Sequence, residues 1–234
     1  MPTLIIATNN KHKVEEIKQI LNQPDTAAFQ ILSARDLPEP PELLETGSTF
    51  RENAAMKAVQ LAKYVCKMIK TGRMEISFPF FVIADDSGLE VDYLRGEPGV
   101  NSARFANPNG EQNSSDAENN SKLITLLRDV PESLRTARFR CVIAAVEVKA
   151  SDFKSIEESS AEALLQPVYF EGLCEGRIGF EPKGDKGFGY DPLFYPGGSD
   201  RTFAEIGEEV KNKISHRARA LEAFTQWVKE RNQS

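Results

Sequence analysis

Short apolar runs broken by polar turns alternate in this chain with longer stretches where apolar residues recur every three or four positions. The first run, Leu4-Ile5-Ile6-Ala7, has the length and branching of a buried strand. Thr8-Asn9-Asn10 interrupts it, and Val14, Ile17, Ile20 and Leu21 then fall on one helical face. Residues 29–44, with Pro38, Pro40 and Pro41, read as a connecting loop. Thr49 and Glu52 have capping-box spacing ahead of a helical stripe of Ala54, Ala58, Leu61, Ala62, Val65, Met68 and Ile69. After a turn-rich link, residues 80–84 form a second buried-strand candidate. It is expected to stop at Asp85-Asp86, with Ser87-Gly88 making a turn.

Residues 107–118 have loop composition, and Ser115 or Asp116 can cap a helix carrying Leu123, Ile124, Leu126 and Leu127, with Pro131 as its stop. Residues 138–149 are apolar on both faces at their centre, which predicts a strand inside a sheet. Residues 151–166 are charged and Ser-rich, an excursion from the core. Residues 168–174 and 177–180 are two further strand candidates. In residues 181–195 three glycines surround Phe188, Tyr190 and Asp191, a loop that either holds something flat or plugs the core with its rings. The last segment packs by Val210, Ile214, Leu221, Phe224 and Val228. On one straight helix Lys211 and His216 would lie about 140° apart, so a break with Ser215 as the new cap is expected. A solvated basic face is the bland alternative. Strands alternating with helices predict an α/β fold.

The 234 residues suit one core, and 40% hydrophobic with 27% charged residues is the balance of a soluble globular protein. A net charge of -6 argues against a broad nucleic-acid surface but permits a small anion held by a few focused cations. Cys66, Cys141 and Cys174 have no metal or redox spacing and are expected to be reduced core residues. No apolar run approaches the ~18 residues of a membrane helix, and the start has no signal-peptide pattern, so the expected compartment is the cytoplasm.

The candidate chemistry follows from placement. Asp85 and Asp86 at a strand end, with Gly-rich turns and Arg104 nearby, suit a magnesium and phosphate site, although turn capping alone could explain them. Asn9 or Asn10 can cap the first helix, whose free amides, with Lys11 and Lys13, would welcome a phosphate. No Gly-Lys-Ser/Thr motif is present to make a P-loop. Glu45, just before the long helix, can answer its dipole or share a cation with the Asp pair, and Glu52 is second choice because it caps.

ATNNKHKVEEI, ETGSTFRENA, ADDSGLEVDYLRGEPGVNSARFA, GFGYDPLF and KNKISHRARAL occur in that order across most of the chain, which thereby resembles the Ham1-type inosine/xanthosine triphosphate pyrophosphatases. The resemblance implies magnesium-dependent hydrolysis of ITP, dITP or XTP to monophosphate and pyrophosphate. It also implies one domain over residues 1–234, an elongated mixed sheet flanked by helices, with two lobes, the site in the cleft between them, and a homodimer. By the same resemblance Asp86 is the catalytic carboxylate, Glu45 and Asp86 hold magnesium, and Asp85 is a supporting or metal partner. Thr8, Asn9, Asn10, Lys13, Ser87 and Lys211 bind substrate. Phe188, Gly189, Tyr190, Asp191, His216 and Arg217 recognise the base: a ring stacks, Asp191 accepts from a purine N–H, and His216 or Arg217 donates to the 6-oxygen, which rejects ATP. Residues 64–80 and 151–166 are longer than in compact members, which bears on dimer geometry. Two other readings are a nucleotide-binding regulator without turnover, and a phosphatase with an aspartyl nucleophile. The second lacks its usual Asp-x-Asp spacing here.

Overall fold

The computed structural model describes residues 1–23, 29–107, 113–153 and 165–232. Strand β1 (Thr3–Ile6) leads through the polar turn into helix α1 (Lys11–Leu21), as the opening pattern predicts. β1 is buried throughout and lies parallel to β2 (Gln30–Ser33) on one side and β3 (Phe80–Val91) on the other. A parallel neighbour on each side is the setting that a run apolar on both faces suits. Helix α2 (Phe50–Lys70) begins at the expected box: the Glu52 amide donates to Thr49 Oγ1 at 3.1 Å, and the Thr49 amide donates to Glu52 Oε2 at 3.1 Å. The chain continues through α3 (Asp116–Leu126), β4 (Thr136–Val148), α4 (Ala150–Phe153) and β5 (Val168–Ile178). It ends with β6 (Phe194–Pro196), α5 (Phe203–Ile206), α6 (Glu208–Ile214) and α7 (His216–Asn232). The strands form one mixed sheet in the order β2-β1-β3-β4-β5-β6, with β6 antiparallel to β5. β4 is interior, as its two apolar faces require.

Several boundaries differ from the sequence expectation. β3 does not stop at Asp85-Asp86 but runs on to Val91, because each carboxylate finds a lysine and neither needs the turn. The two strand candidates near Gly172 and Gly176 are the single strand β5. Gly176 serves the neighbouring strand instead: a Cβ there would lie 2.2 Å from the Tyr195 carbonyl oxygen. Part of the presumed connecting loop forms the four-residue edge strand β2, exposed at Gln30, half-buried at Ile31 and Leu32 and buried only at Ser33, which leaves no alternating pattern to detect. Helix α3 stops at Leu126, before Pro131, which precedes a 3-10 turn over Glu132–Leu134. Most of the 151–166 excursion lies outside the described residues. Of the 64–80 link, the first part completes α2.

The chain folds as two compact units. The first comprises Met1–Asp86, Val142–Glu171 and Ala220–Ser234. Within it the Phe224 ring stacks on Phe29 at 5.9 Å and meets Phe81 and Phe170 edge-on at 6.2 and 5.6 Å. The second comprises Ser87–Cys141 and Gly172–Arg219, cored by Leu89, Val91, Leu123, Phe139, Phe194 and Phe203. The three cysteines are buried and reduced, as expected, and burial pushes Cys66 and Cys174 up to about 11. Among the described residues no helix is long and apolar enough to cross a membrane.

Candidate active site

Adjacent residues on a strand point to opposite faces, and Asp85 and Asp86 accordingly meet different cations in the first unit. Asp85 Oδ1 accepts from Lys13 Nζ at 2.5 Å, and Asp86 Oδ1 from Lys57 Nζ at 3.2 Å. Lys57 also donates to Glu45 Oε1 at 2.8 Å and to the Asp85 carbonyl at 2.9 Å, so an ammonium with three donors has three acceptors. Burial alone would push this ammonium down, but Asp86 and Glu45 outweigh it and hold Lys57 charged. Burial pushes the Asp86 carboxyl above the usual carboxylate range, against the pull of Lys57 and Lys13. Asp86 Oδ2 is buried and has no hydrogen-bond partner among the described residues. A buried acceptor left open is costly, and it is the atom best placed to take a proton or a cation.

Local structure holds these groups in place. Asn10, not Asn9, caps α1: its Oδ1 accepts from the His12 and Lys13 amides at 3.0 and 3.3 Å, while its own amide donates to Thr8 Oγ1 at 3.2 Å. Lys13 then leaves the first turn toward Asp85. The segment carrying Glu45 is fastened to α2 on both sides. Asn53 Oδ1 accepts from the Gly47 amide at 2.8 Å, and the Gln60 amide group bonds the Leu44 N–H and C=O at 3.3 Å each. Glu52 is spent on its cap, as anticipated. Arg104 donates to Asn101 Oδ1 in its own 3-10 turn at 3.1 Å, and each carboxylate of the Asp pair meets a lysine. Lys57 was missed by sequence reasoning, yet it had a signal: position 57 falls inside the apolar stripe of α2, where a charged residue needs a buried partner.

In the second unit the loop before β6 carries another cluster. Asp191, 2% exposed, accepts through Oδ2 from Lys211 Nζ at 2.6 Å and from the Phe188 amide at 3.0 Å. Gly187 is required beside it: its φ is +76°, and a Cβ there would lie 2.1 Å from Asp191 Oδ2. Lys211 Nζ lies 4.6 Å and the Arg217 guanidinium carbon 5.9 Å from the centre of the half-buried Phe188 ring. Tyr190 turns inward. Its hydroxyl donates to the Ser102 carbonyl at 2.8 Å, and burial pushes its phenol up. Of the two rings, Tyr190 plugs the core and Phe188 remains the stacking candidate.

The expected break occurs at Ser215, with φ -69° and ψ 160° between α6 and α7, and its Oγ accepts from the Ala218 amide at 3.1 Å. The His216 ring stacks on Phe139 at 4.8 Å and 13°, and the buried Arg217 donates to Ser87 Oγ at 2.9 Å. The structure thus gathers Ser87, Phe188, Asp191, Lys211 and Arg217 in one unit, and Lys13, Glu45, Asp85 and Asp86 in the other. Among the described residues no group of three or more His, Cys, Asp or Glu side chains is placed to hold a metal. Glu45 and Asp86 share Lys57 instead.

The Ham1 family model matches residues 4–227. A dITP/XTP pyrophosphatase of Halalkalibacterium halodurans is 41% identical over 228 residues, 97% of this chain and all of the relative. A dITP/XTP pyrophosphatase of Bacillus subtilis is 42% identical over 225 residues, covering 96% of each. A solved HAM1 protein from Coxiella burnetii superposes with a TM-score of 0.74 at 35% identity, covering 98% of this chain and all of that one. The Staphylococcus aureus Ham1 protein gives 0.72 at 34% identity, covering 98% of this chain and 99% of that one. The matched span contains both clusters and every element from β1 into α7, and the chain belongs to the Ham1 family.

Proposed function

We propose that this protein hydrolyses the deaminated purine nucleoside triphosphates ITP, dITP and XTP to the monophosphate and pyrophosphate. The observation that carries the reading is the buried Asp86 with its open Oδ2, joined through Lys57 to Glu45, in a chain 41% identical to a dITP/XTP pyrophosphatase. Asp86 orients the attacking water and takes its proton, and its raised basicity suits a base working near neutral pH. Lys57 fixes Glu45 and Asp86 relative to each other without being consumed. Thr8, Asn9, Asn10 and Lys13 bind the triphosphate at the N-terminus of α1, whose dipole favours an anion there.

Glu45 and Asp86 fit a magnesium ion, which is ordinarily held by one or two protein carboxylates and completed by phosphate oxygens and water; the open Oδ2 of Asp86 is the atom on which this fit rests. Bound there, the ion supplies charge neutralisation on the departing pyrophosphate. Phe188 stacks on the base, with Lys211 and Arg217 beside its ring. His216 or Arg217 donates to the 6-oxygen, and Ser87 and Gly189 complete the substrate contacts. Asp191 and Tyr190 act by holding that loop, one through Lys211 and the Phe188 amide, the other through Ser102. A 6-amino group would face donors with donors, which can reject a wrong substrate by 10⁴-fold or more as an order of magnitude. The protein acts as a cytoplasmic homodimer of single-domain chains and binds neither membrane nor nucleic acid.

The test is product analysis with magnesium and ITP, XTP, ATP and GTP in parallel. Pyrophosphate and monophosphate should appear from ITP and XTP, with ATP and GTP nearly untouched. Release of single phosphate, or binding of ITP without turnover, would replace this reading by a phosphatase or a regulator.

A further inference from the structure

Helix α3 contributes none of the residues assigned above, yet its first two turns grip the loop that carries Phe188. The Gly189 amide donates to Asp116 Oδ2 at 2.6 Å, and the Gly189 carbonyl accepts from Asn120 Nδ2 at 2.9 Å. Residues four apart on a helix are neighbours on one face, so a single face of α3 holds both polar groups of one glycine. Gly189 has φ +63° and no side chain of its own, so only its backbone can fix it.

The remaining contacts of this helix make the grip rigid. Asn119 Oδ1 accepts from the Ala106 amide at 2.8 Å, and Asn119 Nδ2 donates to the Ala103 carbonyl at 3.3 Å. One residue earlier, the Ser102 carbonyl accepts the Tyr190 hydroxyl at 2.8 Å, and Ser102 Oγ accepts from the Leu89 amide at 2.9 Å. A continuous frame therefore runs from β3 just beyond Ser87, through residues 102–106 and α3, to Gly189 and Tyr190 on either side of one peptide bond. Asn120 is buried, and its Oδ1 has no hydrogen-bond partner among the described residues. A buried amide with an unmet acceptor is unfavourable, so what the asparagine contributes at this position is its bond to Gly189.

We infer that Asp116 and Asn120 are positioning residues that fix the Gly189 peptide, and with it the Phe188 ring, for stacking on a 6-oxopurine; the inference rests on the base-binding role proposed above. Loss of either bond lets the loop shift, and misplacement of a binding group by about an ångström can cost on the order of 10²-fold. The loss should fall on binding and base choice, because the acidic cluster around Asp86 makes no use of α3.

The experiment compares the full chain with its Asp116→Ala, Asp116→Asn and Asn120→Ala variants, using magnesium with ITP and with ATP, and records thermal melting alongside. Both alanine variants are expected to raise KM for ITP about tenfold while kcat moves less than about threefold, and to lower the ITP-over-ATP ratio of kcat/KM about tenfold. Asp116→Asn retains an oxygen for the Gly189 amide and should recover most of that loss. If Asp116→Ala does not fold, Asn120→Ala decides on the same scale. Unchanged KM and unchanged ratio, with only a lowered melting temperature, would overturn the inference, as would equal damage from Asp116→Asn and Asp116→Ala. An unsubstituted protein that releases no pyrophosphate from ITP would instead overturn the functional reading, and this one with it.

Discussion

Asp86 and Lys57 bear the largest consequences of any single residues. Asp86→Asn keeps the shape of the side chain and removes the base, so kcat for ITP should fall by about 10²–10⁴-fold, the usual span for a general base, while the far-UV spectrum is unchanged. Retained turnover in that variant would defeat the assignment of Asp86. Lys57→Met tests a different property. It strips the donor from two carboxylates and a carbonyl, and removing one partner of a buried ion pair typically costs about 3–5 kcal/mol. A urea midpoint equal to that of the parent would show that the pair contributes nothing net. The acidic motif was plain in the sequence, but its setting was not. Gly88 after two aspartates imitates a turn, whereas the distant Lys13 and Lys57, 72 and 29 positions from the residues they pair, meet both carboxylates as β3 runs on. Lys57 itself was legible as a charge in an apolar stripe.

At the scale of elements the chain was most readable where a helix begins. The box expected at Thr49 with Glu52 forms, Ser115 rather than Asp116 caps α3 and closes a box with Glu118, and another closes at Thr202 with Glu205. In each of the first two the side-chain hydroxyl and backbone amide of a serine, Ser48 or Ser115, hold the glutamate below its ordinary value. A carboxyl depressed in the fold favours folding above its ordinary value of 4.5 and loses that contribution as pH falls through the lower folded value. Glu118→Gln keeps an acceptor for Ser115 but cannot titrate. Its melting temperature should therefore fall less steeply with acidification than that of the parent, and parallel slopes would remove Glu118 from the acid transition. Strands were less legible than caps. β2 sits at the sheet edge with little buried, and β6 has three residues, so neither leaves a period to count. Gly172 and Gly176 looked like a break because the close approach of β6 that Gly176 permits is a tertiary fact.

The division of the whole molecule could not have been found from composition. The chain passes between its two units at Asp86–Ser87, Cys141–Val142, Glu171–Gly172 and Arg219–Ala220. These points lie inside β3, β4, β5 and α7, with none in a Pro- or Gly-rich linker. Each unit is therefore assembled from separate stretches, and three strands and a helix belong to both. Melting one unit alone would end four hydrogen-bonded elements midway, exposing backbone groups that the intact elements satisfy. Unfolding should accordingly be a single cooperative step despite the two compact units, in keeping with the one domain proposed over the full chain. Trp227, the one tryptophan, lies in the first unit against Phe170 and Phe224 and reports on that unit alone, whereas far-UV ellipticity reports on both. The two signals should trace coincident urea transitions with one midpoint. A tryptophan transition separated from the ellipticity change would mean that the shared elements can break at the crossings, and that the units are domains in the thermodynamic sense.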